Sequence, residues 1–381
     1  MKNFFYFLLS AMLCLLLVGG IYVATQDNTK PPDSSQTSSS VVDDEFDDSS
    51  DSGFINTGNN SSGGNMNSGT GNSGNTNIGN TDSGNNGGGN TEEDNSLKNP
   101  TNATSYIADG LEMVSGASIY LGEAEYEPAI RFTCNVSGAV KTEVDGSSNK
   151  ELAFLLAPID YFDEVNPNNY TYMDWVTAFE DAGKTIIYSP LEEGNFNANG
   201  DDYIVRFRLQ NINYKNINRS FVCMLVLKTT SGNAATYKYS AFPAGVDYRS
   251  NARSVAYVAA AALNANALGM ASFSDDDLAK LKDYVNQSVD VANGKAEATD
   301  DGSMYAFTTN ITAPKTLSVG ETLTVITTIS PDVNVPVWYR SSDEAVIEVD
   351  DSGKVTAKAK GTAVVGVYVA GESYGITVTV L

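Results

Sequence analysis

Apolar residues return at every second position in several stretches of this chain, the period of a strand with one buried face. Ile130, Phe132, Cys134 and Val136 alternate with Arg131, Thr133 and Asn135, and Tyr203, Val205, Phe207 and Leu209 alternate with Ile204, Arg206, Arg208 and Gln210. Phe221, Cys223, Leu225 and Leu227 predict a third such strand, residues 152–156 and 186–188 shorter inner strands, and residues 237–242 a strand that closes the sheet. Helical spacing replaces this pattern in three places. Tyr172, Val176 and Phe179 recur within 172–182, and the Ala-rich run 253–265 carries Val255, Val258 and Leu263 along one side. Ser274 is placed to cap a third helix, with Leu278, Leu281 and Val285 on one face and Lys280 and Lys282 towards the other. Together these elements predict an α+β domain over 104–295.

The last stretch reads differently. Leu323 and Val325, then Ala363, Val365 and Val367, then Ile376, Val378 and Val380 alternate with polar residues. Ser330-Pro-Asp332, Asp350-Asp-Ser-Gly353 and Ala370-Gly-Glu372 supply turns between them, the cadence of a β-sandwich. Within this region stand Leu317-Ser-Val-Gly-Glu321, Trp338-Tyr-Arg-Ser-Ser-Asp343, Val349-Asp-Asp-Ser-Gly-Lys-Val-Thr-Ala357 and Lys360-Gly-Thr362 at consistent mutual spacing. On those motifs residues 305–381 resemble a bacterial immunoglobulin-like domain of group 2, of the kind found in intimin- and invasin-type surface proteins. The resemblance implies an immunoglobulin-like sandwich acting as a spacer or adhesive module; it brings no catalytic residue set. Gly116-Ala-Ser-Ile119, Ile130-Arg-Phe132, Ala157-Pro158 and Arg253-Ser254 are similar to an uncharacterised module in secreted proteins of anaerobic Gram-positive bacteria, which implies no activity. The chain is therefore expected to be multidomain and mainly β, an α+β middle domain followed by a C-terminal immunoglobulin-like β-sandwich.

Ahead of both lies a segment of another character. Residues 4–24 form a mostly apolar run behind Lys2, about the 20 residues that span a bilayer. Residues 1–26 read as either a cleaved export signal or an uncleaved anchor, with the remainder exported and the bacterial membrane as a partner in the second case. Residues 27–103, rich in Asn, Gly, Ser, Thr and Asp, lack the apolar content to offset the entropy of folding and predict a disordered tether. As a flexible coil it has a root-mean-square span of about 45–50 Å.

Charge and composition then narrow the chemistry. Acidic residues outnumber basic ones 47 to 23, a net charge of −24, which disfavours nucleic acid as a partner. The chain contains no histidine, so no Ser-His-Asp or Cys-His nucleophile, His-bound zinc or imidazole general base can be built within it. No cofactor motif and no metal-type cysteine spacing is present, and no enzyme activity is expected. Residues 195–200 imitate half of a calcium loop, but the twelfth position is Arg206 where a bidentate Glu is needed, so a hairpin turn is expected. Ser147-Ser-Asn-Lys150 fits a Ser-x-x-Lys pattern without its companion motifs.

Three candidates remain. Cys134 and Cys223 fall on the apolar registers of their strands, as core thiols or as a disulfide formed after export. Tyr170, Tyr172 and Trp175 are candidate ligand contacts, able to stack on sugar rings, with Trp175 alternatively a core residue of its helix. Acid pairs such as Asp160 with Asp163 and Glu164, or Glu180 with Asp181, suit glycoside hydrolysis only at a particular separation in space. The expected function is a non-catalytic cell-surface protein for adhesion or envelope scaffolding, with cell-wall or host glycans or proteins as partners. The alternative is a carbohydrate-active or sugar-binding extracellular protein with its site in the middle domain.

Overall fold

A computed structural model describes residues 104–121, 129–296 and 305–381. The expected signal or anchor at 1–26 and the tether at 27–103 lie outside the described residues. The chain begins with β1 (Ile107–Met113), β2 (Ser118–Tyr120) and β3 (Ala129–Val136), followed by helix α1 (Gly138–Asp145). Then come β4 (Lys150–Pro158), α2 (Ile159–Val165), α3 (Trp175–Asp181), β5 (Ile187–Pro190), β6 (Asn197–Asn199) and β7 (Asp202–Gln210). β8 (Phe221–Ser231), β9 (Ala234–Ala241), the single turn α4 (Tyr248–Asn251), α5 (Val255–Ala267) and α6 (Asp275–Ala292) complete the α+β part.

All nine strands join one sheet in the order β5-β4-β8-β9-β1-β3-β7-β6, with β2 beside β3. Every pairing is antiparallel except β1 with β9. The alternation in β3 and β7 holds: Ile130, Phe132, Cys134 and Val136 are buried, as are Val205, Phe207 and Leu209. In β4 and β8 the apolar run is continuous because both faces are covered, Leu152 to Ala157 and Phe221 to Leu227 being buried without interruption. β9, expected to close the sheet, lies instead at its middle and links the two halves through β8 and β1. β1 carries a bulge opposite β9 between Ile107 and Glu112, and within it Gly110 takes φ +81°. A Cβ there would stand 2.2 Å from Oγ of Ser137, the N-cap of α1, whose N–H donates to the Gly110 carbonyl. Only glycine permits that bend and approach together. The sheet curls, so that β3 approaches β8 although two strands lie between them.

α3 starts at Trp175 rather than at Tyr172 because Asp174 caps it, accepting from the Thr177 N–H. α6 begins after Ser274, which accepts from Asp277 N–H, and buries Leu281, Val285 and Val289.

The C-terminal part contains β10 (Ala306–Thr309), β11 (Lys315–Leu317), β12 (Thr322–Thr324), β13 (Thr327–Ser330), β14 (Val337–Ser341), β15 (Ile347–Val349), β16 (Lys354–Ala357), β17 (Gly361–Val369) and β18 (Glu372–Val380). β11-β18-β17-β14 form one sheet, with β11 parallel to β18. β12-β16-β15 form the facing sheet, and β13, continuing β12 after a break at Val325 and Ile326, pairs with β10. This is the strand order of an immunoglobulin-like sandwich, with a split first strand that touches both sheets. Val325, Ile347, Val355, Val365, Val367 and Val378 are fully buried between the sheets.

The sequence motifs of this part are turn and packing devices. Asp350 accepts from Ser352 N–H, Lys354 N–H and the Ser352 hydroxyl, which closes the β15–β16 turn. Gly353 at φ +80° brings its backbone under the Tyr339 ring; a Cβ would lie 2.4 Å from the Val325 carbonyl oxygen. Glu321 accepts from Ser318 N–H, and its carbonyl receives Ala357 N–H.

The two parts share a hydrophobic cluster. α5 is buried nearly all round, as expected of a helix apolar on every side. Val258 packs into the core of the large sheet, while Ala259, Ala260, Ala262 and Leu263 pack with α6 against Val333, Val335, Val369 and Ala370 of the sandwich. At the centre of this junction sits Asn264, wholly buried. Its Nδ2 donates to the Pro336 carbonyl at 3.1 Å and the Tyr368 carbonyl at 3.4 Å, and its Oδ1 accepts from Gly371 N–H at 2.8 Å. Ala370 and Gly371 form the two-residue β17–β18 turn with positive φ at both, +45° and +86°. Tyr305 adds a bond from its hydroxyl to the Val369 carbonyl at 2.7 Å.

Asn264→Leu strands the Gly371 N–H and the Pro336 carbonyl at a cost of roughly 1–3 kcal/mol for each buried group. With only two tryptophans in the chain, Trp338→Phe leaves Trp175 to report the α+β part and Trp175→Phe leaves Trp338 to report the sandwich. In urea the two probes are expected to give coincident transitions on the wild-type background and separated ones with Asn264→Leu; coincidence in both would remove the coupling assigned to this side chain. Burial, and secondarily Glu372, holds the Tyr305 phenol up at about 12, above its ordinary value of 10. Its contribution is complete below pH 10 and is lost as pH rises through 10 to 12, because the unfolded chain gives up that proton first. Tyr305→Phe should therefore show a shallower fall in urea midpoint between pH 10 and 12 than wild type.

Candidate binding surface

The three aromatics singled out by sequence do not form a common platform. Trp175 is fully buried, in edge contact with Phe162 and Tyr248 at ring-centroid distances of 4.8 and 5.1 Å. Its position directly after the Asp174 cap turns it inward onto the sheet, so it is a core residue and not a ligand contact. Tyr172 lies half-buried along Phe242, with its hydroxyl accepting from Phe242 N–H at 2.9 Å. Tyr170 is held by its backbone, which exchanges hydrogen bonds with the buried Asn166 amide at 2.8 and 2.9 Å.

Cys134 and Cys223 are free, buried thiols. Cys134 pairs in register with Met113 and Val205, Cys223 with Leu156, and burial pushes both thiols well above their ordinary value. A thiol kept protonated in this way is a small apolar residue and a poor nucleophile.

The candidate acids are engaged by cations. Asp160 receives Arg219 at 2.6 and 3.0 Å, Asp163 pairs with Arg249 at 2.8 Å, and Glu164 with Lys184 at 2.5 Å. Glu180 and Asp181 are exposed on the last turn of α3. Residues 195–200 enter the β6–β7 hairpin, in which Asn199 pairs with Asp202 around Gly200 at φ +66°. Lys150 opens β4 and pairs with Glu143. Among the described residues no group of three His, Cys, Asp or Glu side chains is arranged to hold a metal ion.

A different surface emerges from strand register. Tyr339 is buried in the sandwich, so its neighbours Trp338 and Arg340 face outward from β14. Ala363, Val365, Val367 and Val369 face inward, leaving Thr362, Val364, Gly366 and Tyr368 on the same outer face of β17. In β18 the outward positions are Ser373, Gly375, Thr377 and Thr379. None of these positions on β14, β17 and β18 is a carboxylate, in a chain with 47 of them.

Trp338 is directly opposite Tyr368, and Arg340 opposite Gly366, which in turn faces Gly375. The Tyr368 ring lies over Gly366: a Cβ there would stand 2.8 Å from Cε2 and 3.1 Å from the phenol oxygen. The Arg340 guanidinium sits 5.7 Å from the Trp338 ring centroid and donates from one nitrogen to the Tyr339 carbonyl at 2.8 Å. β14 ends its sheet, and this arginine covers an outer carbonyl of that edge. The sequence signal was present in the parity of Trp338 against Tyr339: neighbours on a strand face opposite ways, and only one of the two rings can enter the core.

No helix among the described residues is long and apolar enough to cross a membrane. No protein-family model matches the chain, and no curated protein matches it. Solved structures that align with it include Dpr2 Ig1-Ig2 in complex with DIP-Theta Ig1-Ig3, at 8% identity over 71% of this chain and 95% of that one, with a TM-score of 0.17. Extracellular domains 3–5 of Drosophila OTK align at 10% identity over 72% and 65% of the two chains, with a TM-score of 0.15. A chimeric titin Z1Z2 functionalized with a decorin peptide aligns at 11% identity over 74% and 95%, with a TM-score of 0.19. Scores this low carry no argument, and the immunoglobulin-like description of the C-terminal part rests on its own strand order.

Proposed function

We propose that this chain is a non-catalytic binding or scaffolding protein of the bacterial surface. In this reading residues 1–26 direct export or anchor the chain, 27–103 tether it, and an α+β domain over 104–295 is joined to a group 2 bacterial immunoglobulin-like domain over 305–381. The observation that carries the reading is the junction built on α5 and Asn264, which gives the large sheet and the sandwich one shared core. A protein that presents a surface or transmits tension needs its parts fixed to one another, and a buried amide bonded to the C-terminal end of β17, to the β17–β18 turn and to the β14 approach fixes both position and rotation. The motif residues of the sandwich support it, since they shape turns and core and leave the outer face to vary. The alternative of a sugar-active site in the middle domain is disfavoured by the burial of Trp175 and by the cations on Asp160, Asp163 and Glu164.

Surface display is tested in the native cell with a membrane-impermeant amine reagent, for which Lys280 and Lys358 are accessible on the folded chain. Labelling of intact cells is expected, with loss of labelling when residues 1–26 are deleted. Labelling that requires lysis would place the chain inside and end this reading.

A further inference from the structure

We propose that the outward face of β3 and β7, around Arg131, Arg206 and Arg208, binds the dianionic phosphoryl group of a soluble phosphomonoester. The reading of a surface protein sets where such a group would be met; the binding itself stands on this face.

The cluster follows from register. Phe132 and Cys134 of β3 and Val205, Phe207 and Leu209 of β7 are buried, so Arg131, Thr133, Asn135, Arg206 and Arg208 take the other side of the sheet. Arg131 stands directly opposite Arg208, and Arg206 opposite Thr133. Cross-strand and same-face spacings put the three arginine Cβ atoms within about 5–8 Å of one another. Arg206 and Arg208 are exposed, and Arg131 is half-buried. The chain has seven arginines, and three of them meet here.

Such a cluster works against the fold. Like charges directly opposite on a sheet repel, and a carboxylate at position 133 or 135 would relieve this in a chain with 47 acids. Thr133 and Asn135 stand there instead. Guarding the edge of β7, which β6 covers only from Asp202 to Ile204, calls for charge of either sign and not for three of one sign. The described neighbours leave the cluster positive. Glu112 on β1 is opposite Asn135, and Asp202 at the start of β7 accepts from Gly138 N–H at 3.0 Å. Among the described residues no carboxylate pairs with Arg206 or Arg208. Two of the arginines are also held in place: Arg131 Nε donates to Ser118 Oγ at 3.0 Å, and the Arg208 guanidinium lies 4.3 Å from the Tyr120 ring centroid. Guanidiniums held before a ligand arrives lose less entropy on binding it.

The ligand is set by donors and charge. Each guanidinium presents five N–H donors in a planar fork that matches the oxygens of a carboxylate or a phosphate. Three forks rising side by side offer more donors and charge than the two oxygens and single charge of a carboxylate can use. A phosphomonoester brings three oxygens and close to two charges. A long polyanion or an anionic membrane would be repelled over its whole contact by a chain of net charge −24. A single phosphoryl group feels chiefly the charges within a Debye length of about 8 Å.

The test is equilibrium dialysis of the full chain, at about physiological salt, against glycerol phosphate and phosphoserine. Glycerol, serine O-sulfate and phosphatidate vesicles are the comparisons. Saturable binding of both phosphomonoesters at similar affinity is expected, with none of glycerol and weaker binding of the singly charged sulfate ester. Binding should fall as pH drops through about 6, where the phosphoryl group takes up its second proton. The chain has no histidine to titrate in that window. The described titratable neighbours, Glu112, Asp202 and Tyr120, are carboxyls and a phenol, classes that ionise outside it. Arg206→Gln and Arg208→Gln should each weaken binding about tenfold or more, while Lys282→Gln on α6 should not. The urea midpoint of the double Arg206→Gln, Arg208→Gln variant should hold or rise, because repulsion is relieved. The proposal is overturned by no saturable binding of either phosphomonoester, by equal binding of serine O-sulfate without a pH transition, or by preference for phosphatidate vesicles. Binding unchanged in the double variant, or a fall in its urea midpoint that makes the arginines structural, would overturn it as well. Intact-cell labelling is unaffected by any of these, so a failed site and a failed surface assignment give different results.

Discussion

A helix made largely of alanine is the element on which both halves of this protein depend. α5 has no polar face to give to water, and its residues from Val255 to Ala265 are buried almost without exception. Small side chains allow other backbones to come close on every side, which is why one helix can belong to the core of the large sheet through Val258 and to the sandwich through Ala262 and Leu263. The approach is close at the β17–β18 turn, where a Cβ on Gly371 would lie 3.3 Å from Cβ of Leu263. Apolar packing alone would leave α5 free to slide or turn by small amounts. Asn264 removes that freedom, because a wholly buried amide pays the full desolvation cost unless its partners are in register.

The sandwich turn at this contact shows the reverse dependence. Ala370 adopts φ +45°, a conformation more comfortable for Asn or Gly in a two-residue hairpin. Its side chain is buried in the junction cluster with Val333, Val335 and Val369. The local conformational cost is of order 1 kcal/mol and is offset only while α5 and α6 are there to receive the methyl group. The turn is thus shaped for a partner and not for an isolated sandwich, which argues that the two parts were selected as one body.

How much of this could be read from sequence varied with how local each signal was. β3 and β7 were legible because one covered face writes a period of two into the residues. The long helices were legible through Ser274 and the alanine run. α1 and α2 escaped, although Ser137 ahead of α1 is an N-cap of ordinary kind. The place of β9 escaped because strand order is a non-local property: nothing in Ala234–Ala241 says that it will pair in parallel with β1. How the aromatic candidates are arranged was hidden for a related reason. Tyr170, Tyr172 and Trp175 are close in sequence, but a cap at Asp174 points the tryptophan into the core. Trp338 and Tyr368 are far apart in sequence and meet only through the register of β14 with β17.

The sandwich motifs and the outer face divide the labour between specifying a fold and leaving room for function. Gly353, Asp350 and Glu321 are constrained by a ring, a set of backbone N–H groups or a neighbouring turn, and none of them can change without moving a strand. The side chains of Trp338 and Tyr368 bear no such duty, since an outward position in a strand tolerates many residues at a difference of under about 1 kcal/mol. Large aromatic groups left partly in water at such positions forgo burial that smaller polar residues would not need. That Trp338 and Tyr368 stand opposite each other at outward positions of β14 and β17 is therefore what a fold-maintaining account leaves over.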